Sequence, residues 1–224
     1  MTHPIGAFIT AELEARADPA RAGPMAAYMK TDMAFFGVTA APRRRIVRAA
    51  VQAFPPITAA DYRDQVTTLW ALPHREEKYS AVGVARAHPC FITLEQIDLY
   101  RRMITEGAWW DFVDEIAAHL VGRVVALDRE AMRPILEEWI DGDDLWLRRT
   151  TLICQLGHRD TTDAGQLFDF CARRAHEREF FIRKAIGWAL RQYARTDPDA
   201  VRSFVAAHAD ELSPLSIREA TRHL

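Results

Sequence analysis

Residues 107–122 read GAWWDFVDEIAAHLVG and bring two tryptophans close to carboxylates. In a helix, Trp110 and Asp114 are four residues apart and share one face, whereas the adjacent Trp109 points elsewhere. A carboxylate beside an aromatic ring offers a negative charge and a stacking surface together. We therefore predict Trp110 and Asp114 as site residues, Trp109 as a core residue, and Asp111 as a first-turn helix charge. The alternative for any such helix is a half-buried tryptophan beside a solvated aspartate.

Two later stretches carry groups that would complement this face. WLRR places Arg148 and Arg149 at the start of one helical segment, and FFIRKAIGWALRQYA places Phe181, Lys184 and Trp188 on one stripe of another. If these helices are neighbours, an arginine for phosphate, two aromatic rings and a carboxylate would meet on one wall. Core packing of Trp188 and an ion pair for Arg149 remain the alternatives.

The elements that position these residues are helices, because nearly every segment has helical periodicity. Segments with similar patterns begin about 35 residues apart, and they start at Pro42, Arg75, Trp110, Trp146 and Phe181. Partner helices are predicted between them, at 58–71, 92–106, 128–140 and 162–173. This pattern predicts an all-α fold, an α-solenoid of HEAT-like antiparallel helix pairs in a single domain over residues 1–224.

The second helix of each predicted pair carries arginine near its start, which would give a nearly neutral chain a basic concave face. The formal net charge is −2, so the distribution of charge matters more than its sum. Ordinary solvated charges are the alternative. The basic candidates on these segments include Arg43, Arg44, Arg148 and Lys184.

Other chemistries find little support in the sequence. HExxH, phosphate-loop, GxGxxG and GxSxG motifs are absent, and three single cysteines fit buried thiols better than a metal site or disulfide framework. No metal or organic cofactor is expected. With no apolar run of about 18 residues and no basic, apolar leader, we expect a cytoplasmic protein with no membrane partner. We also expect a monomer.

The chain resembles the AlkD-type DNA alkylation repair glycosylases, which are built from HEAT-like repeats. The resemblance runs from MAAYMKTDMAFFGVTAAPRR through LWALPHRE, WWDFVD, WLRRTTLICQL and EFFIRKAIGWALRQYARTDP to LSPLSIREA. It implies that Trp110, Trp188 and Asp114 contact the deoxyribose of a damaged nucleotide and that Arg149 approaches the DNA backbone. Tyr28 and Lys30, in AYMK, match a stretch that lies near the DNA. With the resemblance, the DNA-binding candidates are Tyr28, Lys30, Arg43, Arg44, Arg148 and Lys184, and the protein is expected to associate with the nucleoid when bound to DNA.

The resemblance further implies hydrolysis of the N-glycosidic bond of cationic N3- and N7-alkylated purines, such as 3-methyladenine and 7-methylguanine, in double-stranded DNA without base flipping. A cationic purine leaves as a neutral base, so no general acid is needed. The remaining task is to stabilise an oxocarbenium-like sugar and deliver water. Because the chain is slightly acidic, its DNA affinity is expected to be sensitive to salt.

The alternative function is a non-catalytic scaffold that binds DNA structures or a protein partner, since helical-repeat proteins often only bind. An Asp114 buried in an ion pair, together with both tryptophans packed in the core, would favour the scaffold. Trp110 and Asp114 side by side on an arginine-lined face would favour the enzyme.

Overall fold

The computed structural model describes residues 3–224, and over that range the protein is an α-solenoid of paired helices with no β-strand. None of these helices is long and apolar enough to cross a membrane. The chain forms two compact units that meet between Ile92 and Thr93 in the sequence. Each unit is described in turn.

The first unit contains five helices: α1 (Pro4–Glu14), α2 (Pro19–Met29), α3 (Ala40–Ala53), α4 (Ala59–Trp70) and α5 (Arg75–Ala87). Its core consists of apolar side chains from α1, α3, α4 and α5, including Ile5, Ile9, Ile46, Leu69 and Val84. Helix α4 begins where the sequence indicates, because the Thr58 hydroxyl accepts a hydrogen bond from the Asp61 amide at 3.1 Å.

A buried glutamate binds the backbone that follows α2. Glu76, at the start of α5, is fully buried, and its carboxylate accepts hydrogen bonds from the amides of Phe36, Gly37 and Val38 at 3.1, 2.9 and 3.0 Å. The Asp18 amide also donates to the Phe36 carbonyl at 2.8 Å. The backbone before α2 and the backbone after it are therefore held side by side at Asp18 and Phe36. Helix α2, which lies between these points, has no buried residue.

The second unit contains nine helices and one π-helical segment. They are α6 (Ile97–Gly107), α7 (Trp110–Ile116), the π segment (Ala117–Val121), α8 (Gly122–Leu127), α9 (Arg129–Asp141), α10 (Leu145–Ile153), α11 (Ala164–Arg173), α12 (Phe180–Tyr193), α13 (Pro198–Ala207) and α14 (Pro214–Ala220). Within this unit α10 packs against α7, α9 and α12, and α12 packs against α14.

The repeat pattern predicted from sequence is confirmed as helices. The five predicted starts lie on or beside the first turns of α3, α5, α7, α10 and α12, with α4, α6, α9 and α11 between them. One boundary was wrong: the helix expected from residue 92 begins at Ile97. A short 3₁₀ turn, Leu94–Gln96, precedes it, and the Thr93 side chain makes no capping hydrogen bond there.

The start of α8, at Gly122, lies in backbone contact with Cys154, the residue that follows α10. A methyl group at Gly122 would lie only 2.2 Å from the carbonyl oxygen of Cys154. The His158 imidazole lies beside the same turn, with Nε2 2.9 Å from the Gly122 carbonyl. Burial lowers the pKa of His158, which favours the neutral ring. Only glycine permits this backbone contact.

We expect Gly122→Ala to destabilise the protein. The higher helix propensity of alanine would contribute up to about 1 kcal/mol of stability, but overpacking costs about 1–3 kcal/mol, and here the obstructing atom is backbone. Urea unfolding should therefore show a lower midpoint. Gly157→Ala is the matched control, because a methyl group there meets nothing within 4 Å. Equal midpoints for the two variants would contradict the close contact.

Candidate active site

The site is organised by one guanidinium group. Arg149 on α10 donates from Nε and Nη2 to the two carboxylate oxygens of Asp114 on α7, at 2.7 and 2.8 Å. Its Nη1 donates to the Phe181 carbonyl on α12 at 2.6 Å. The Arg149 side chain is 4% exposed. One side chain thus links three helices, with the bidentate geometry for which arginine is suited.

Local sequence explains why an arginine lies inside the protein at this point. The Asp144 carboxylate caps α10 by accepting hydrogen bonds from the amides of Trp146 and Leu147, both at 2.9 Å. Most side chains of α10 are buried, so the helix is enclosed on nearly every side. A charge at position 149 must therefore be paired by neighbouring helices.

Asp114 lies at the accessible edge of this pair. Its side chain is 17% exposed. Burial raises the pKa of the Asp114 carboxyl above its ordinary value, and the hydrogen bonds and positive charge of Arg149 offset part of that rise. The nearby negative charges of Asp111 and Glu115 act in the same direction as burial. Arg149 thus holds the carboxylate in place, and limited contact with water leaves its negative charge only weakly screened.

The two adjacent tryptophans are both half-buried, so the prediction of Trp109 as a core residue was wrong. Trp109 precedes α7 and is extended, with φ −153°, after a left-handed Ala108 with φ 38°. Its ring packs near Trp146 and Phe181, at centroid distances of 6.0 and 5.5 Å. Trp110 is the first residue of α7 and is half-buried. Trp109 therefore lies before the helix rather than on a second face of it.

Trp188 lies on the predicted stripe of α12. Ile182, Ala185, Ile186, Ala189 and Leu190 form the buried face of this helix. Phe181, Lys184 and Trp188 lie along another face and are only partly buried. Because an α-helix rises 1.5 Å per residue, Trp188 lies about 10 Å along α12 from Phe181, whose carbonyl binds Arg149.

Two of the predicted DNA-binding residues have acidic partners in the second unit. Arg148 donates to the Gly142 carbonyl at 2.7 Å, and its Nε lies 3.1 Å from the Glu177 carboxylate. The Lys184 ammonium donates to Glu219 at 2.7 Å. Sequence reasoning missed both acidic partners. Each lies far along the chain from its basic residue, so the short spacing that marks neighbours on one helix does not apply.

The remaining DNA-binding candidates belong to the first unit. Tyr28 on α2 is 73% exposed, and Lys30, which ends that helix with φ 51°, is also exposed. Arg44 is exposed on α3, whereas Arg43 lies over the Tyr79 ring, with its Cζ 4.3 Å from the ring centroid. Tyr28, Lys30 and Arg44 are thus exposed on that unit.

The prediction of buried thiols is confirmed for Cys154 and Cys171 and is wrong for Cys90, which is exposed. Burial raises the pKa of the Cys154 thiol to about 12, which suppresses its thiolate. Within residues 3–224, no group of three or more histidine, cysteine, aspartate or glutamate side chains could hold a metal ion.

The observed site meets the scaffold criterion only in part. The ion pair of Asp114 with Arg149 is present, but Trp110 and Trp188 are half-buried rather than packed in the core. The pair also leaves Asp114 at an accessible edge, on the same helix face as Trp110. This arrangement can place a negative charge and aromatic surface beside a ligand.

These features define an α-solenoid protein with an arginine-held carboxylate beside partly exposed tryptophans. The family model described as DNA alkylation repair enzyme matches residues 9–224, and the chain belongs to that family. Among solved structures, a predicted DNA alkylation repair enzyme from Enterococcus faecalis is similar, with a TM-score of 0.85 and 29% identity, covering 93% of this chain and 96% of that one. A comparison with curated proteins found no match.

We expect Arg149→Ala to destabilise the second unit strongly. Removing one partner of a buried ion pair typically costs about 3–5 kcal/mol, since the other charge is left uncompensated. Guanidinium unfolding measures the change. The control is Arg202→Ala, which removes an exposed pair with Asp199 and should cost less than about 1 kcal/mol. A similar small loss in both variants would show that Arg149 does not hold the three helices.

Proposed function

We propose that this DNA alkylation repair protein is a monofunctional DNA glycosylase for cationic N3- and N7-alkylated purines in duplex DNA. The observation that carries the proposal is the Asp114 carboxylate, fixed in a bidentate pair with Arg149 yet partly exposed on the face shared with Trp110. A fixed negative charge in a partly desolvated setting is the group that an oxocarbenium-like sugar requires.

The chemistry of the leaving group explains why so few residues suffice. In 7-methylguanine and 3-methyladenine nucleotides the base already carries a positive charge. When the N-glycosidic bond breaks, the bonding electrons return to the base, which leaves neutral and needs no proton from the protein. The positive charge moves to the sugar, where water attacks C1′ and then loses its proton to solvent. No bond to the protein forms.

Asp114 performs two tasks in this mechanism. Its charge stabilises the developing sugar cation, and one oxygen accepts a hydrogen bond from the attacking water, which orients the water. Both oxygens also receive hydrogen bonds from Arg149. The carboxylate therefore does not need to reorient when the sugar charge develops.

Trp110 and Trp188 supply ring faces to the sugar. A cation–π contact contributes roughly 0.5–2 kcal/mol, with the higher value where water is excluded. Partial burial suits this role, because a half-buried side chain is held by its neighbours and still exposes surface to a ligand. A partly exposed site also fits excision while the damaged base remains in the duplex, in contrast to enzymes that flip the base into a pocket.

The basic residues divide between positioning and DNA contact. Arg149 is enclosed, so direct contact with phosphate would require its pair with Asp114 to open, and we assign it to holding the carboxylate. Tyr28, Lys30 and Arg44 are exposed and are assigned to the DNA backbone. Arg43, Arg148 and Lys184 are assigned to the same role, and each also contacts another side chain of the protein. Affinity should fall steeply with salt.

The direct test is excision of 7-methylguanine from a duplex at low salt. Released base is measured under single-turnover conditions, and alkaline cleavage reports the abasic site. We expect excision by the native protein and a loss of about 100-fold or more for Asp114→Asn, with DNA affinity little changed. Asp199→Asn, at an exposed side chain on α13, is the matched control. Binding without any excision by the native protein would instead support the scaffold.

The pH dependence of excision provides a second test of Asp114. The ionised form is active, so the rate should fall as acidification protonates the carboxyl. Because burial raises the pKa of Asp114, the fall should begin above the ordinary aspartate value of about 3.9. Circular dichroism at each pH checks the fold, and uncatalysed depurination is subtracted. The same profile for Asp114→Asn would assign the titration to another group.

A further inference from the structure

A carboxylate on the last helix of the second unit binds two cations on either side of Trp188. Lys184 precedes Trp188 by four residues on α12, and Arg191 follows it by three, so the three side chains share one stripe. Glu219 on α14 accepts a hydrogen bond from Lys184 at 2.7 Å through one oxygen and binds Arg191 through the other. The Glu219 residue is only 8% exposed.

The backbone brings α14 close enough for this bridge. A methyl group at Gly187 would lie 2.5 Å from Cβ of Glu219 and 2.9 Å from the Ser216 carbonyl oxygen, so glycine is required at the crossing. The Ser216 hydroxyl also donates to the Arg183 carbonyl at 2.9 Å. Trp188 follows Gly187 directly. The contact between α12 and α14 is therefore fixed next to the tryptophan.

We infer that Glu219 is a positioning residue for Trp188. By holding Lys184 and Arg191 toward α14, it confines the side chains on both sides of the indole and limits the directions that the ring can take. Its negative charge also reduces the combined +2 of these cations to +1. Without that compensation, the two cations would oppose positive charge developing on a ligand at the Trp188 face. The effect on excision rests on the proposed function.

The first experiment observes Trp188 without any reaction. The protein has six tryptophans, and 5-fluorotryptophan labelling gives each a fluorine NMR resonance. Trp188→Phe identifies the signal of Trp188 by its loss. In Glu219→Gln we expect that signal to shift or broaden while the signals of Trp70 and Trp139, remote in sequence, stay in place. An unchanged Trp188 signal would overturn the inference.

The second experiment tests the consequence for catalysis. With 7-methylguanine duplex DNA, Glu219→Gln should lower the single-turnover excision rate by about tenfold, since small displacements of a positioning group are costly. Glu219→Asp, which keeps the charge, should recover part of the loss. In a Trp188→Ala background, Glu219→Gln should have no further effect, because the group that it positions is already absent. A merely structural role would lower the rate in both backgrounds.

The two readouts separate the possible failures. If the native protein excises nothing, the proposed glycosylase function fails, while the fluorine signal still decides whether Glu219 positions Trp188. A shifted signal with an unchanged excision rate would overturn the link to catalysis. A lowered rate with an unchanged signal would overturn the positioning role. Asp199→Asn, which breaks an exposed pair with Arg202, should alter neither readout.

Discussion

The second unit depends on a buried positive charge that is shared by three helices. The guanidinium of Arg149 would be costly to bury alone, and it becomes tolerable because Asp114 and the Phe181 carbonyl receive its donors. This requirement fixes the relative positions of α7, α10 and α12. It also fixes a carboxylate at an accessible edge. The interaction that satisfies the interior therefore also shapes the candidate site.

Much of this architecture could be predicted from sequence, because helical periodicity and capping residues are local signals. The pairing of α3 to α12 and the stripe containing Phe181, Lys184 and Trp188 both follow from spacing along the chain. The partner of Asp114 could not be derived in this way, since Arg149 is 35 residues away and either a phosphate or a carboxylate would suit it. Resemblance identified the arginine; three-dimensional packing shows where its donors point.

Departures from the predicted structure occur where the backbone leaves regular geometry. Trp109 was placed on a helix from its spacing, yet the left-handed Ala108 makes it extended. The π segment after α7 was not expected, because one additional residue in a helical turn leaves no distinct composition. Acidic partners such as Glu177 and Glu219 were missed for a related reason: ion pairs between distant helices carry no fixed spacing in sequence.

The hydrogen bonds that hold the two ends of the α2 segment together have a consequence for how the sequence of this protein can vary. The two ends of the segment from Asp18 to Phe36 lie side by side, joined by a backbone hydrogen bond, and three amides at its second end donate to the Glu76 carboxylate. Helix α2 contributes no buried residue, so we expect a change in the length of this helix to leave the core of the first unit in place. Tyr28 and Lys30 lie within the α2 segment. The position and charge of these two groups can therefore change without rebuilding the helical core.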